Sequence, residues 1–129
     1  ENTIEKKGAN VLNEVGVDDK NLEIVRQGMR LVAQSGGTAS NFADYGIEIG
    51  AKTGTAEVNG HSDNVTFIGF APYDKPEIAI AVLLEYGSNS TYSKNIARDL
   101  FDAYFYGAYV DEDGEIVIPS AADTLEDEN

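Results

Sequence analysis

The sequence predicts an α+β fold: a three-stranded antiparallel meander with one helix before it and a C-terminal helix packed on it. Three observations lead there. Apolar residues step by three or four over Leu22–Ala33 and again over Ile96–Phe105, the spacing of one helical face. Between them lie three runs with strand character, rich in alternating, β-branched or aromatic residues. The separators are short and turn-forming, Asn59-Gly60 and Asp74-Lys75-Pro76, so neighbouring strands run antiparallel.

Taken in order, Glu1–Lys20 has no sustained period and reads as an extended lead-in. In NLEIVRQGMRLVAQSGG, Leu22, Val25, Met29 and Val32 form the helical stripe, and Ile24, Leu31 and Ala33 widen it. Asp18 or Asp19 is the expected N-cap and Gly36 the stop. So wide an apolar face predicts cover on more than one side, and Gly28 within it points to close packing. In GIEIGAKTGTAE, Ile47, Ile49, Ala51, Thr53 and Thr55 alternate with Glu48, Gly50, Lys52 and Gly54, the period of a strand. NVTFIGFAPYD is the second strand. EIAIAVLLEYG is apolar on both parities, which predicts a central strand buried on two sides. Ser90 or Thr91 then caps a helix whose stripe is Ile96, Ala97, Leu100, Phe101, Tyr104 and Phe105. The tail AYVDEDGEIVIP reads as a small hairpin about Asp113-Gly114, followed by residues expected to be disordered.

Composition narrows the function. With 129 residues, 42% of them hydrophobic, the chain has material for one core. Nine basic against 23 acidic residues give a net charge of -14, which repels nucleic acid and anionic membrane surfaces, so no nucleic-acid partner is expected. Eight of those acids lie in Val110–Asn129 with no base among them, leaving 15 acids and nine bases for the rest. Cysteine is absent, which excludes disulfides and thiolate metal sites. No run approaches the ~20 apolar residues of a spanning helix. Since Glu1 is no initiator, the chain is expected to be a piece of something longer.

The chemistry concentrates at GAKTGTAE, Gly50–Glu57. A phosphate loop would need G-x-x-x-x-G-K-[ST] followed at once by a helix. Here Ala51 stands in place of the last glycine, and the alternation continues into a hairpin turn, so an extended carboxylate-binding strand is favoured. The Thr53 and Thr55 hydroxyls can donate to a carboxylate, Lys52 supplies a positive charge, and Gly54 leaves room for a peptide-like ligand along the backbone. Strict alternation places Lys52 and Thr55 on opposite faces, so one ligand reaches both only along the strand edge.

Lys52-Thr53-Gly54-Thr55 resembles the K-T-G-T strand of the serine transpeptidases and β-lactamases. Gly28-Met29, Gly37-Thr38-Ala39, KTGTAE, Phe67-Ile68-Gly69-Phe70-Ala71-Pro72 and a strand ending in Glu85 follow in the order seen in the transpeptidase domain of penicillin-binding proteins, especially class B enzymes. The resemblance implies that residues 1–109 are the C-terminal portion of such a domain, with 110–129 an acidic tail, and that the meander is part of a larger sheet. It implies that Thr55 offers its backbone N–H to an oxyanion hole and that Lys52 bonds to the serine of an S-x-N motif. It implies a peptidoglycan stem peptide and β-lactams as ligands of the intact domain, no cofactor or metal, and a membrane-anchored parent on the extracytoplasmic face.

The sequence also departs from the pattern. Ala51 replaces the usual glycine before the lysine, a small change within a strand. No serine is followed three residues later by lysine, so the S-x-x-K nucleophile is missing. Ser62-Asp63-Asn64 spells S-D-N, but it follows the K-T-G strand instead of preceding it and reads as turn residues. His61 reads as an exposed turn residue, Asp111, Glu112, Asp113 and Glu115 as a solvated hairpin, and Tyr104, Tyr106 and Tyr109 as core and helix-end packing.

Two functions follow. The chain is either a fragment of a peptidoglycan D,D-transpeptidase, inactive alone, or a short non-catalytic module that binds peptidoglycan peptides or β-lactams. Upstream S-x-x-K and S-x-N motifs would support the first. By resemblance, the strand ending at Glu85 lacks a partner strand, so its open edge is expected to drive self-association.

Overall fold

A computed structural model describes residues 12–119. The chain forms α1 (Asp19–Ala33), a short 3-10 turn (Ser40–Phe42), β1 (Gly50–Ala56), β2 (Asn64–Ala71), β3 (Ile78–Leu84), α2 (Ser90–Phe105) and a two-stranded hairpin of β4 (Tyr109–Val110) and β5 (Ile116–Val117). The expected disordered end and most of the lead-in lie outside the described residues.

The sheet order is β1-β2-β3, all antiparallel, with Thr53 opposite Phe67 and Phe67 opposite Val82. β2 is therefore the central strand. The expectation of a doubly buried third strand is corrected: among the described residues β3 is an edge, Ile80 and Val82 are buried, and Ala79, Ala81 and Leu83 are exposed. Its small or aliphatic residues on both parities gave the same signal as a central strand.

One sheet face holds the core. Val65, Phe67 and Ala71 of β2 and Ile80 and Val82 of β3 are buried beside Ala97 and Phe101 of α2 and Phe42 and Tyr45 of the loop before β1. Phe42 links the layers, its ring centroid 5.5 Å from Phe67 and 6.0 Å from Phe101. Burial of this aromatic group removes most of its apolar surface from water, about 1.5–3 kcal/mol per large side chain.

Only half of the stripe predicted for α2 faces this core. Ala97 and Phe101 are buried and Phe105 packs against the cluster, whereas Ile96, Leu100 and Tyr104 are exposed. The buried flank instead takes Ser93 and Asp102. The cap is Asn89 rather than Ser90 or Thr91: its side chain accepts from the Thr91 amide at 2.8 Å. Of the three tyrosines expected to pack, Tyr106 does, and Tyr104 and Tyr109 are exposed.

α1 is capped by Asp18, which accepts from the Lys20 amide, and Gly36 lies beyond its end at φ +85°. The cover expected over its wide apolar face is only partial among the described residues: Met29 and Val32 are half-buried. Ala33 alone is buried, while Leu22, Ile24, Val25 and Leu31 are exposed. Gly28 does not mark close packing either, since a Cβ there would meet open space. α1 joins the core through Ala33 and Val32 and meets the loops flanking the sheet through cations. Arg26 donates to the Tyr73 carbonyl at 2.7 Å and lies 5.1 Å from that ring centroid, and Arg30 pairs with Glu48.

The β1–β2 and β3–α2 connections brace each other. Tyr86 and Ser88 have φ of 54° and 61°, a conformation that side chains rarely adopt. Asn64 Oδ1 accepts from the Tyr86 amide at 2.9 Å, the Asp63 carbonyl accepts from the Ser88 amide at 3.0 Å, and His61 stacks on the Tyr86 ring at 4.5 Å. Asp63 and Asn64 thus serve a turn.

Candidate functional site

The site is built on β1. Its two faces carry different chemistry because alternate residues point to opposite sides of the sheet. Gly50, Lys52 and Gly54 share the face opposite the core with Thr66, Ile68 and Phe70 of β2, their cross-strand partners. A Cβ on Gly50 would fall 2.3 Å from the Phe70 ring, and one on Gly54 would fall 2.4 Å from Thr66 Oγ1. The glycines make way for β2 side chains, so Lys52 is the one long side chain that β1 presents here. Gly54 was expected to leave room for a ligand, and in the structure Thr66 uses that room.

Lys52 is exposed, and its ammonium folds back to donate to the carbonyl of Thr53. Beside it runs an open apolar groove of about 310 Å³, lined by Met29, Ile68, Phe70, Ala79 and Ala81. A second cavity, about 240 Å³, lies between α1 and the loop leading to β1, with Arg30, Gln34, Phe42 and Glu48 in its wall. None of Lys52, Thr53, Gly54 or Thr55 lines either cavity.

Thr53 occupies the other face. Its hydroxyl lies 2.8 Å from the hydroxyl of Thr38, a residue of the loop after α1. Sequence reasoning missed this partner; the signal available was the Gly37-Thr38-Ala39 landmark between the helix stop and the strand. The loop is fixed from both sides. Gly37 presses on the end of α1, where a Cβ would lie 2.2 Å from the Val32 carbonyl oxygen, and the Ala39 amide donates to that carbonyl at 2.9 Å. Ala39 and Phe42 are buried in the core. Thr55 is exposed further along the strand, opposite Val65. β1 pairs only with β2 among the described residues, so its outer edge is open along Lys52–Thr55.

Behind the loop sits a buried polar group. Arg98 of α2 donates to the Asn41 carbonyl at 2.5 Å, and its guanidinium lies 5.2 Å from the Tyr45 ring centroid. The Tyr45 hydroxyl and one Asp102 carboxylate oxygen are buried without a hydrogen-bond partner among the described residues. Burial, reinforced by the nearby Asp102 carboxylate, holds the Tyr45 phenol well above its ordinary range; Tyr106 is raised chiefly by burial.

Other candidates resolve into structural roles. Asp111 Oδ1 accepts from the amides of Asp113 and Glu115, closing the β4–β5 turn. Among the described residues no three His, Cys, Asp or Glu side chains gather as a metal site.

A family model described as the penicillin-binding protein transpeptidase domain matches residues 1–102. The chain belongs to this family. Penicillin-binding protein 2A of Bacillus subtilis is 33% identical over 110 residues, 74% of this chain and 15% of that protein. A probable peptidoglycan D,D-transpeptidase, PenA of Neisseria flavescens, is 41% identical over 91 residues, 65% of this chain and 23% of that protein. Among solved structures, Pseudomonas aeruginosa PBP2 in complex with WCK 5153 matches with a TM-score of 0.61 at 35% identity, covering 78% of this chain and 21% of that one. The chain therefore spans between 15% and 23% of the length of these transpeptidase relatives.

Proposed function

We propose that this chain is the part of a peptidoglycan D,D-transpeptidase domain that supplies the carboxylate-binding strand and one oxyanion-hole donor, and that it is inactive alone. The observation that carries the reading is the Thr38–Thr53 hydroxyl pair on a strand whose outer edge is open among the described residues. A hydroxyl has one proton to donate and lone pairs with which to accept. When Thr53 donates to a substrate carboxylate, Thr38 can donate into Thr53, so both protons run towards the negative charge. Lys52 adds positive charge from the opposite face, and an extended peptide lying along the free edge meets the backbone of Gly54 and Thr55.

In the intact domain a serine attacks the carbonyl of a stem peptide ending in D-Ala-D-Ala, and the acyl group then passes to an amine acceptor. The Thr55 backbone N–H stabilises the oxyanion formed at that carbonyl. Lys52 reaches the serine of the S-x-N motif. The parent acts on the extracytoplasmic face of the membrane, where peptidoglycan and β-lactams are met. This chain has neither S-x-x-K nor a correctly placed S-x-N, so it binds at the strand without forming an acyl bond.

Intact-mass measurement of the chain incubated with a labelled penicillin tests this. No covalent adduct is expected. A stoichiometric mass gain would overturn the proposal.

A further inference from the structure

The chain has 23 acidic and nine basic residues, so an unpaired cation is unexpected. The ion pairs within 4 Å among the described residues are Lys20–Asp18, Arg26–Glu23 and Arg30–Glu48. Lys94 and Arg98 form none among these residues. One helical turn apart on α2, both donate instead to main-chain carbonyls of one loop: Lys94 Nζ to Thr38 at 3.2 Å, and Arg98 Nη1 to Asn41 at 2.5 Å. The same loop places the Thr38 hydroxyl on Thr53.

We propose that Lys94 and Arg98 are positioning residues for Thr53, acting through Thr38; this rests on the reading of Thr53 as a carboxylate donor. The loop is already held in the fold by buried Ala39 and Phe42, so the two cations are not needed to keep it folded. What they add is orientation. A charged donor on the Thr38 carbonyl fixes the peptide plane next to its side chain, and charge-assisted bonds are about twice as strong as neutral ones. A hydroxyl contact of 2.8 Å does not survive a shift of an ångström or so. Arg98 performs the same task three residues on, with its guanidinium braced on the Tyr45 ring. The C-terminal helix thereby sets the direction in which Thr53 offers its proton, although it does not touch the ligand.

The test uses the 129-residue chain, with the Thr38–Thr53 side-chain contact read by nuclear Overhauser effects without ligand. Lys94→Met and Arg98→Met together should abolish that contact in a protein that keeps its folded spectrum, and Lys94→Arg with Arg98→Lys should restore it. Val65→Ala, a core change outside the loop, should lower Tm and leave the contact intact. Affinity for N-acetyl-D-alanyl-D-alanine should fall about fivefold in the Met variant, the worth of one hydrogen bond. A contact that persists in the folded double variant, or that Val65→Ala also removes, overturns the proposal. If the double variant does not fold, Lys94→Met alone decides by the same contact, whose retention there also overturns it. A wild-type chain that binds no carboxylate refutes the reading of the site, whereas the ligand-free contact still judges the clamp.

Discussion

Gly54→Ala separates two reasons for the glycine in the middle of β1. An added Cβ would lie 2.4 Å from Thr66 Oγ1 and 3.7 Å from Thr66 Cβ. The first distance is impossible and the second is ordinary contact, so a χ1 rotation of Thr66 relieves the clash without backbone movement. An unfavourable rotamer costs about 1 kcal/mol. Replacing glycine in a strand returns about 0.5–1 kcal/mol of backbone entropy. Gly54→Ala alone is therefore expected to change stability by less than about 1 kcal/mol. With Thr66→Ala already present the clash is gone, and the same change should stabilise by about 0.5 kcal/mol. The coupling between the two sites is then about 1 kcal/mol, measurable by urea unfolding of the four proteins. Additive effects would refute the account of Gly54 as space for Thr66 and return the residue to the ligand.

Two further outcomes follow from the same structure. The raised Tyr45 phenol keeps its proton in the folded chain, whereas an unfolded tyrosine loses it near pH 10, so this contribution is complete below about pH 10 and stability falls as pH rises beyond it. Tyr45→Phe should flatten that alkaline decline by up to about 1.4 kcal/mol per pH unit in denaturation curves; an unchanged slope would contradict it. The outer edge of β3, unpaired among the described residues and with Ala79, Ala81 and Leu83 exposed, should give a mass that rises with concentration in light scattering, and Ala81→Lys should suppress the rise. A clean monomer at high concentration would count against it.

The elements that were legible in the sequence are those whose pattern matches a local period. Leu22–Ala33 and the alternation through Lys52–Thr55 specify their own backbone, and Asn59-Gly60 falls in the β1–β2 loop, with Gly60 at φ +78°. What was misread depends on neighbours. An apolar residue looks the same whether or not something covers it, and this explains why Ile96, Leu100 and Leu83 were expected to be buried and are exposed. The same holds for α1, whose stripe matches a covered helix while Val25 and Leu22 remain in solvent. At the site, Lys52, Thr53 and Thr55 could be picked out as residue types able to bind a carboxylate. Thr38 stood out only as part of the Gly37-Thr38-Ala39 landmark, because its bond to Thr53 is made by a loop that closes in three dimensions over fifteen positions. Gly54 was identified as sterically necessary, but the group that needs the space is on the next strand.

The most direct test of the carboxylate strand is a ¹⁵N-resolved NMR titration of the chain with benzylpenicillin, in which every amide reports independently. The amides of Thr53, Gly54 and Thr55, with that of Thr38, should shift together and return on dialysis. Shifts confined to the apolar groove around Met29, Ile68 and Ala79, or none along β1, would contradict the account.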